Sequence, residues 1–172
     1  METTSEYKTI EDFKKYPEGT TVELIDGKII ELPRRLIIHQ DVLSDIAINI
    51  WNKIKSNLIK GKLINWVDVY LDEKTIVQPD LIYVSHENFN ILHDYVFGVT
   101  DMLIEIISPT GMAHDFITKY NLYKEYGVKE YFIINPDDKL VICYRLQNNV
   151  YKEAYRGDGI LKSEEMNAEI EF

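Results

Sequence analysis

The alternation of hydrophobic and polar residues predicts a chain that opens with a short helix and a β-hairpin. Residues 21–32 form two β-rich runs joined by Asp26 and Gly27. A tight hairpin turn needs positive φ at both central positions, and Asp-Gly is typical of such turns. Ahead of the hairpin, Thr9 followed by two acidic residues predicts a capped helix that stops before Pro17.

Two longer helices are predicted from hydrophobic spacing and end signals. Between residues 39 and 57 the hydrophobic side chains recur at helical intervals, on one stripe opposite a polar face. Residues 115–126 form the second helix, which Gly127 ends as the residue after its last turn.

Strands account for most of the remaining pattern. The runs 63–71 and 75–84 are each predicted to be one strand, with an edge, bulge or bend at Pro79 because proline cannot donate to a ladder. Dense hydrophobic runs predict buried strands at 102–107 and 130–134. A second hairpin is predicted at 139–155 and a helical turn at 85–92. Turns are predicted at 108–111, 135–138 and 157–159, and a weak C-terminal segment at 160–172.

The order of these elements predicts one α/β domain with a mixed central sheet over residues 1–172. The chain has 172 residues, 45% hydrophobic and 28% charged, which is ordinary for a globular protein. A polar, acidic start and the lack of a membrane-length hydrophobic run predict a cytoplasmic protein without membrane contact. A single cysteine, Cys143, excludes an internal disulfide and a cysteine-built zinc site, and its strand pattern predicts an inert buried thiol.

The net charge of −10 argues against a generic nucleic-acid binder, which is usually basic. The charge is uneven, however, because residues 28–62 carry seven basic and three acidic residues, a net charge of +4. This segment is either an edge that faces phosphates or a solvated helix face.

Three residues stand out chemically. Glu105 lies in a run that is hydrophobic on both strand faces, so its carboxylate needs a cation, a raised pKa or a metal. Asp80 follows Pro79 at a strand irregularity, a feature common beside active sites. Glu105 lies about 10 Å back from the end of its strand, and Lys119 lies about 6 Å into the helix that follows. If this helix folds back over the sheet, the two residues lie at a similar height above the connecting turn. The alternatives are a structural salt bridge or solvent-lined strand end for Glu105, a plain Pro-Asp turn for Asp80, and a surface pair with Asp115 for Lys119.

Two strand carboxylates with a lysine suit a hard divalent cation. Mg²⁺ takes oxygen ligands from one or two carboxylates, keeps several waters and binds substrate phosphates. It acidifies a bound water, and a nearby lysine orients or deprotonates that water or stabilises developing charge.

A series of short motifs in order resembles the Uma-two restriction endonuclease family, within the PD-(D/E)XK nuclease superfamily, nearly end to end. The motifs are ELIDG at 23–27, HQ at 39–40, VDV at 67–69, QPDL at 78–81, EIISP at 105–109, Asp115 with Lys119 and Tyr123, GVKEY at 127–131 and NP at 135–136. The resemblance implies a restriction-endonuclease-like core in the order αβββαβ, with hairpins added at both ends.

The resemblance also implies that Asp80 and Glu105 are the two acids of the superfamily motif. Ile107 stands where the motif lysine would be, and Lys119 takes its place from the next helix. Glu23, His39 and Asp68 match family positions without a derivable role. Either Glu23 or Asp68 faces the cleft as an extra acid, or both lie on strand surfaces; the alternative for His39 is a helix-entry residue. Tyr123 is expected to pack in the core.

The sequence therefore predicts a Mg²⁺- or Mn²⁺-dependent endonuclease acting on phosphodiesters, most naturally in DNA, with Asp80 and Glu105 as metal ligands and Lys119 assisting the water. By resemblance, a homodimer is expected. The alternative is a catalytically idle nucleic-acid or protein interaction module on the same fold. A small-molecule metalloenzyme is weaker, because the histidines lack metal-ligand spacing.

Overall fold

The computed structural model describes residues 7–17, 19–107 and 112–172, with the backbone alone for 112–115. Its elements in chain order are α1 (Ile10–Phe13), β1 (Val22–Ile25), β2 (Lys28–Glu31), α2 (Ile37–Lys55), β3 (Gly61–Asn65), β4 (Val69–Asp72), β5 (Thr75–Val77), β6 (Leu81–Ser85), a 3-10 helix (His86–Ile91), β7 (Val96–Phe97), β8 (Met102–Ile106), α3 (Met112–Tyr126), β9 (Glu130–Ile134), β10 (Leu140–Gln147), β11 (Val150–Asp158), β12 (Ile160–Ser163) and β13 (Ala168–Glu171).

A five-stranded sheet begins with the hairpin predicted from Asp-Gly. Its strand order is β2-β1-β5-β4-β7, and β1 pairs antiparallel with β2 across the turn. Asp26 and Gly27 have φ values of 48° and 72°, as such a turn requires. The predicted helix before it is α1, where the carboxylate of Asp12 accepts a hydrogen bond from the backbone N–H of Thr9 at 3.1 Å.

The central sheet is mixed, as predicted, and has six strands in the order β11-β10-β9-β8-β6-β3. β8 and β9 run parallel, and the other neighbours are antiparallel. The strands of this sheet and the two long helices follow one another along the chain in the order α2, β3, β6, β8, α3 and β9, and the hairpin β10–β11 comes last. The parallel step is made through α3, since parallel neighbours need a crossover connection.

The two faces of the central sheet pack against different partners. One face lies under α2 and the C-terminal hairpin, and its core includes Leu81, Tyr83, Met102, Ile104, Phe132, Ile134, Val42, Ile46, Leu161 and Ile170. The opposite face packs against α3 and the five-stranded sheet, through Ile82, Leu103, Tyr131, Ile133, Tyr123, Ile25, Val69 and Val77. Because strand side chains alternate, Glu105 lies on the same face as Leu103, toward α3.

Two predicted strands are each divided between the sheets. The run 63–71 separates into β3 and β4 around Trp66, whose φ is 54°, a left-handed conformation that ends the strand. The run 75–84 separates into β5 and β6 at Gln78-Pro79-Asp80, which confirms the irregularity expected from Pro79. A continuous hydrophobic pattern does not show which sheet a segment joins. The division of each run between two sheets was therefore not predicted.

Smaller differences lie at element ends. α2 starts at Ile37 and α3 at Met112, each slightly before the predicted helix. Gly157 and Asp158 belong to β11 rather than a turn, and the segment expected to be weak is the hairpin β12–β13. The turn predicted at 108–111 lies outside the described residues. Among the described helices none is long and hydrophobic enough to cross a membrane.

Candidate active site

The three residues singled out from the sequence line one pocket. Asp80 stands at the break between β5 and β6, Glu105 lies near the end of β8, and Lys119 lies on α3. Their exposed fractions are only 3%, 8% and 9%. The pocket beside them has a volume of about 80 Å³ and is also lined by Arg34, Arg35, His39, Gln78, Phe116, Tyr131 and neighbouring backbone.

Asp80 is held by three donors, one from each of three chain segments. Its Oδ1 accepts a hydrogen bond from Arg35 Nε at 2.9 Å. Its Oδ2 lies 3.1 Å from His39 Nε2 and accepts the backbone N–H of Ile106 at 2.9 Å. A carboxylate only accepts hydrogen bonds, so Nε2 of His39 carries a proton. These contacts fix both oxygens of Asp80 in the pocket wall.

The environment of Asp80 favours its charged form. Burial alone would raise its pKa, but the hydrogen bond and charge of His39, the charge of Arg35 and the Ile106 N–H together lower the pKa below its ordinary value. Asp80 is therefore a carboxylate at neutral pH, as a metal ligand must be.

Glu105 faces Lys119 directly. Its Oε1 accepts hydrogen bonds from Lys119 Nζ at 2.9 Å and from the hydroxyl of Tyr123 at 2.8 Å. The same ammonium lies 3.0 Å from Oε1 of Glu23, on β1 of the other sheet. Glu23 is in turn fixed by the backbone N–H of Gln78 at 2.9 Å. One buried ammonium thus joins two buried carboxylates from different sheets.

This charge balance leaves Glu105 hard to ionise and Lys119 hard to neutralise. Burial raises the pKa of Glu105 to about 7, because Lys119 offsets only part of the desolvation and Asp80 and Glu23 add repulsion. Burial disfavours the charge of Lys119, but Glu105 and Glu23 outweigh it and raise its pKa above the ordinary value. Lys119 is an ammonium across the neutral range and cannot accept a proton there.

The geometry bears on each alternative reading of the three residues. Lys119 is buried, so it is not the exposed helix-surface residue that a pairing with Asp115 would require. Glu105 does form a salt bridge, as one alternative expected, but its partner is Lys119, which is itself a residue of the candidate site. Asp80 is more than a turn residue, because its carboxylate bonds across the fold. It lies in the pocket with the other two, but bonds Arg35 and His39 rather than Lys119.

The family-matched residues without an assigned role also converge here. Glu23 is buried against Lys119, not on a strand surface. His39, in the first turn of α2, is buried against Asp80, and its Nδ1 has no hydrogen-bond partner among the described residues. Asp68 accepts the side-chain amide of Gln78 at 2.7 Å, and burial raises its pKa. Tyr123 is fully buried in the core, as expected, and also bonds Glu105.

Arg35 is the residue that sequence reasoning did not single out. It contacts Asp80 from 45 positions away, a separation that no local pattern reveals. The excess of basic residues over 28–62 was the available signal, and it pointed to a segment rather than to one side chain.

The donor set suits a cation that keeps most of its waters. Asp80 and Glu105 are two hard oxygen donors on one pocket, the number that Mg²⁺ commonly takes from protein. Among the described residues no group of three or more His, Cys, Asp or Glu side chains could hold a metal ion. These residues therefore fit Mg²⁺ or Mn²⁺ better than zinc, which takes three or four protein ligands.

Comparison with known proteins places the chain among nucleases. The family model described as "Uma2: Putative restriction endonuclease" matches residues 10–170. A crystal structure titled as a "putative nuclease belonging to DUF820" from Anabaena variabilis ATCC 29413 matches with a TM-score of 0.71 and 22% identity, over 87% of this chain and 84% of that one. At this identity the likeness shows the fold alone.

A weaker match is the electron cryomicroscopy structure of a DrdV–DNA complex. It has a TM-score of 0.41 and 18% identity, over 69% of this chain and 12% of that one, too low to carry an argument. Comparison with curated proteins finds no match. Since the family model spans nearly the whole chain, the chain belongs to the Uma2 family, and its likeness to the solved structure shows a restriction-endonuclease-like α/β fold.

Proposed function

We propose that the protein is a Mg²⁺- or Mn²⁺-dependent endonuclease that hydrolyses phosphodiester bonds in DNA. The observation that carries this proposal is that Asp80, Glu105 and a permanently charged Lys119 line one pocket. Membership of the restriction endonuclease family supports a nuclease.

Asp80 and Glu105 are the residues that would hold the metal. The bound ion would acidify a water and neutralise charge on the scissile phosphate. Asp80 is ionised in advance by its donors, whereas Glu105 ionises near neutral pH. Tyr123 and Lys119 keep the Glu105 carboxylate from turning away from the pocket.

Lys119 acts as a fixed positive charge in this proposal. Its raised pKa in the protein without metal argues against the role of proton acceptor, so of the roles open to a nuclease lysine we assign it the orientation of the attacking water or the stabilisation of developing charge on the phosphate. Glu23 is then a positioning residue, because its carboxylate holds the same ammonium that Glu105 holds.

The basic segment supplies a local site for the DNA backbone on an acidic protein. Arg34 and Arg35 line the pocket, so phosphates next to the scissile bond would meet positive charge there. A homodimer, which would cut both strands, and a cytoplasmic location remain predictions. Analytical ultracentrifugation tests the dimer.

Cleavage assays on plasmid and oligonucleotide DNA with Mg²⁺ or Mn²⁺ test the proposal. Asp80→Asn and Glu105→Gln should abolish cleavage, and Lys119→Met should reduce it by at least a hundredfold, the scale of one lost electrostatic donor. Asp41→Ala, which removes an exposed acid from α2, is the matched control and should cleave like the wild type. Cleavage that persists in the folded Asp80→Asn variant would refute the assignment.

An idle interaction module is the second candidate, favoured by two observations. Both oxygens of Asp80 are already engaged by protein donors, and Ile107 replaces the motif lysine. Calorimetric titration with Mn²⁺ separates the two. A binding signal that disappears in Asp80→Asn supports the nuclease, and no signal supports the idle module.

A further inference from the structure

Arg35 lies between the pocket and the exterior, in contact with both. Its Nε donates to Asp80 at 2.9 Å, and its guanidinium carbon lies 5.4 Å from the centre of the Trp66 ring. The arginine side chain is 21% exposed and Trp66 is 52% exposed. The guanidinium therefore reaches a buried carboxylate from a rim that solvent and ligands also reach.

The hydrogen bonds of Asp80 divide unequally between its two oxygens. Oδ2 takes both His39 and the Ile106 N–H, which belong to the rigid α2 and β8. Among the described residues, Oδ1 takes Arg35 alone. Withdrawal of Arg35 would therefore free one carboxylate oxygen while the other two donors still hold the carboxylate in place.

Two donor nitrogens of Arg35 have no partner among the described residues. Only its Nε donates to a described residue, and neither terminal nitrogen of the guanidinium does. A guanidinium binds phosphate through two parallel hydrogen bonds, a geometry for which its planar fork is suited. Stacking on Trp66 keeps this fork at the pocket rim.

We propose that Arg35 is the phosphate-binding residue of the site, and that its transfer from Asp80 to a substrate phosphate opens Oδ1 for the divalent ion. This inference rests on the proposed nuclease function. Without nucleic acid, Arg35 competes with the metal for Asp80. With nucleic acid bound, the competitor is removed and a negative phosphate is added, so metal and nucleic acid bind cooperatively. Because such coupling is reciprocal, the metal also strengthens phosphate binding.

Mn²⁺ titration of three full-length proteins in the absence of DNA tests the competition. The proteins are the wild type, Arg35→Met and Arg34→Met. Arg34 lines the same pocket and is exposed, and its removal changes the net charge equally, so it controls for loss of a nearby cation. Arg35→Met should bind Mn²⁺ roughly tenfold more tightly than Arg34→Met, which measures the effect of losing a nearby cation alone; the factor is within the usual range of coupling between two sites.

Fluorescence anisotropy with a labelled oligonucleotide in EDTA tests the phosphate contact. Arg35→Met should bind the oligonucleotide more weakly than the wild type, with a salt dependence shallower by about one unit. Arg35→Lys serves as a second variant should the methionine variant melt early. It keeps the charge but loses the fork, and should bind Mn²⁺ more tightly than the wild type.

The outcomes separate this inference from the function beneath it. If folded Arg35→Met and Arg35→Lys bind Mn²⁺ no more tightly than Arg34→Met, or Arg35→Met binds the oligonucleotide as the wild type does, the role of Arg35 is refuted while Asp80-dependent cleavage stands. If none of the proteins binds Mn²⁺, both the inference and the nuclease proposal fail.

Discussion

Replacing Lys119 with methionine should destabilise the protein strongly and in a pH-dependent way. The change removes the ammonium that lies 2.9 Å from Glu105 and 3.0 Å from Glu23, and leaves two buried carboxylates without a counter-charge. Breaking a buried ion pair by removing one partner costs roughly 3–5 kcal/mol. For a chain of this size that corresponds to a melting temperature lower by roughly 6–20 °C.

The sign of the pH dependence follows from the pKa of Glu105, which loses its counter-charge in this variant. In the wild type the pKa of Glu105 is already raised from 4.5 to about 7, so this residue lowers stability as pH rises through that window. Without Lys119 the pKa of Glu105 rises further, because its nearest counter-charge is gone. Stability should then fall more steeply between pH 5 and pH 8, by up to about 1.4 kcal/mol per pH unit for this acid.

Urea unfolding of the metal-free proteins at pH 5 and pH 8 measures both effects. Lys124→Met is the matched control, since it makes the same change on the same helix at a partly exposed lysine that bonds Asn121. It should change stability by no more than about 0.5 kcal/mol. A loss for Lys119→Met below about 1 kcal/mol, or an equal loss at both pH values, would refute the role of Lys119 as the shared counter-ion.

Three further predictions concern the rest of the fold. Cys143 is buried with its pKa raised to about 12, so it should react with a thiol reagent at pH 8 only after unfolding, and rapid labelling of the native protein would contradict this. Gly61→Ala should lower stability by roughly 1–3 kcal/mol in urea melts, because the new methyl would lie 2.6 Å from both the Tyr83 ring and the Val84 carbonyl oxygen; an unchanged midpoint would show that the ring and the backbone both give way freely. Glu130→Gln replaces the carboxylate that accepts from the Arg145 guanidinium, and should lower stability by about 1–3 kcal/mol and speed amide exchange in β12–β13. Unchanged exchange would show that this bond does not stabilise the C-terminal hairpin.

Elements whose cause is local were predictable from the sequence. The Asp26-Gly27 turn, the hydrophobic stripe of α2, the dense run of β8 and the glycine after α3 each carry their signal within a few residues. The oddity of Glu105 was also local, since a carboxylate in a wholly hydrophobic strand needs a partner. That requirement, joined to the height of the following helix, indicated Lys119.

Contacts between distant segments were not predictable in the same way. The division of 63–71 and 75–84 between two sheets depends on which strands each part pairs with. A hydrophobic run has the same sequence pattern in either sheet, so the pattern does not indicate the division. The sharing of Lys119 by Glu23, and of Asp80 by Arg35 and His39, arises only when the two sheets and α2 have packed. Family matches marked Glu23 and His39, but their roles come from the folded geometry.

The bridge through Lys119 has a consequence for how the protein is made. Glu23 leaves the ribosome early, Glu105 follows later, and the cation that neutralises both arrives only with α3. A nascent or truncated chain that stops before α3 carries two acids that burial would penalise, so it gains little by closing the sheets on one another. Closure of this site is thereby tied to the synthesis of α3, and products that end before α3 should be open and readily removed by proteases.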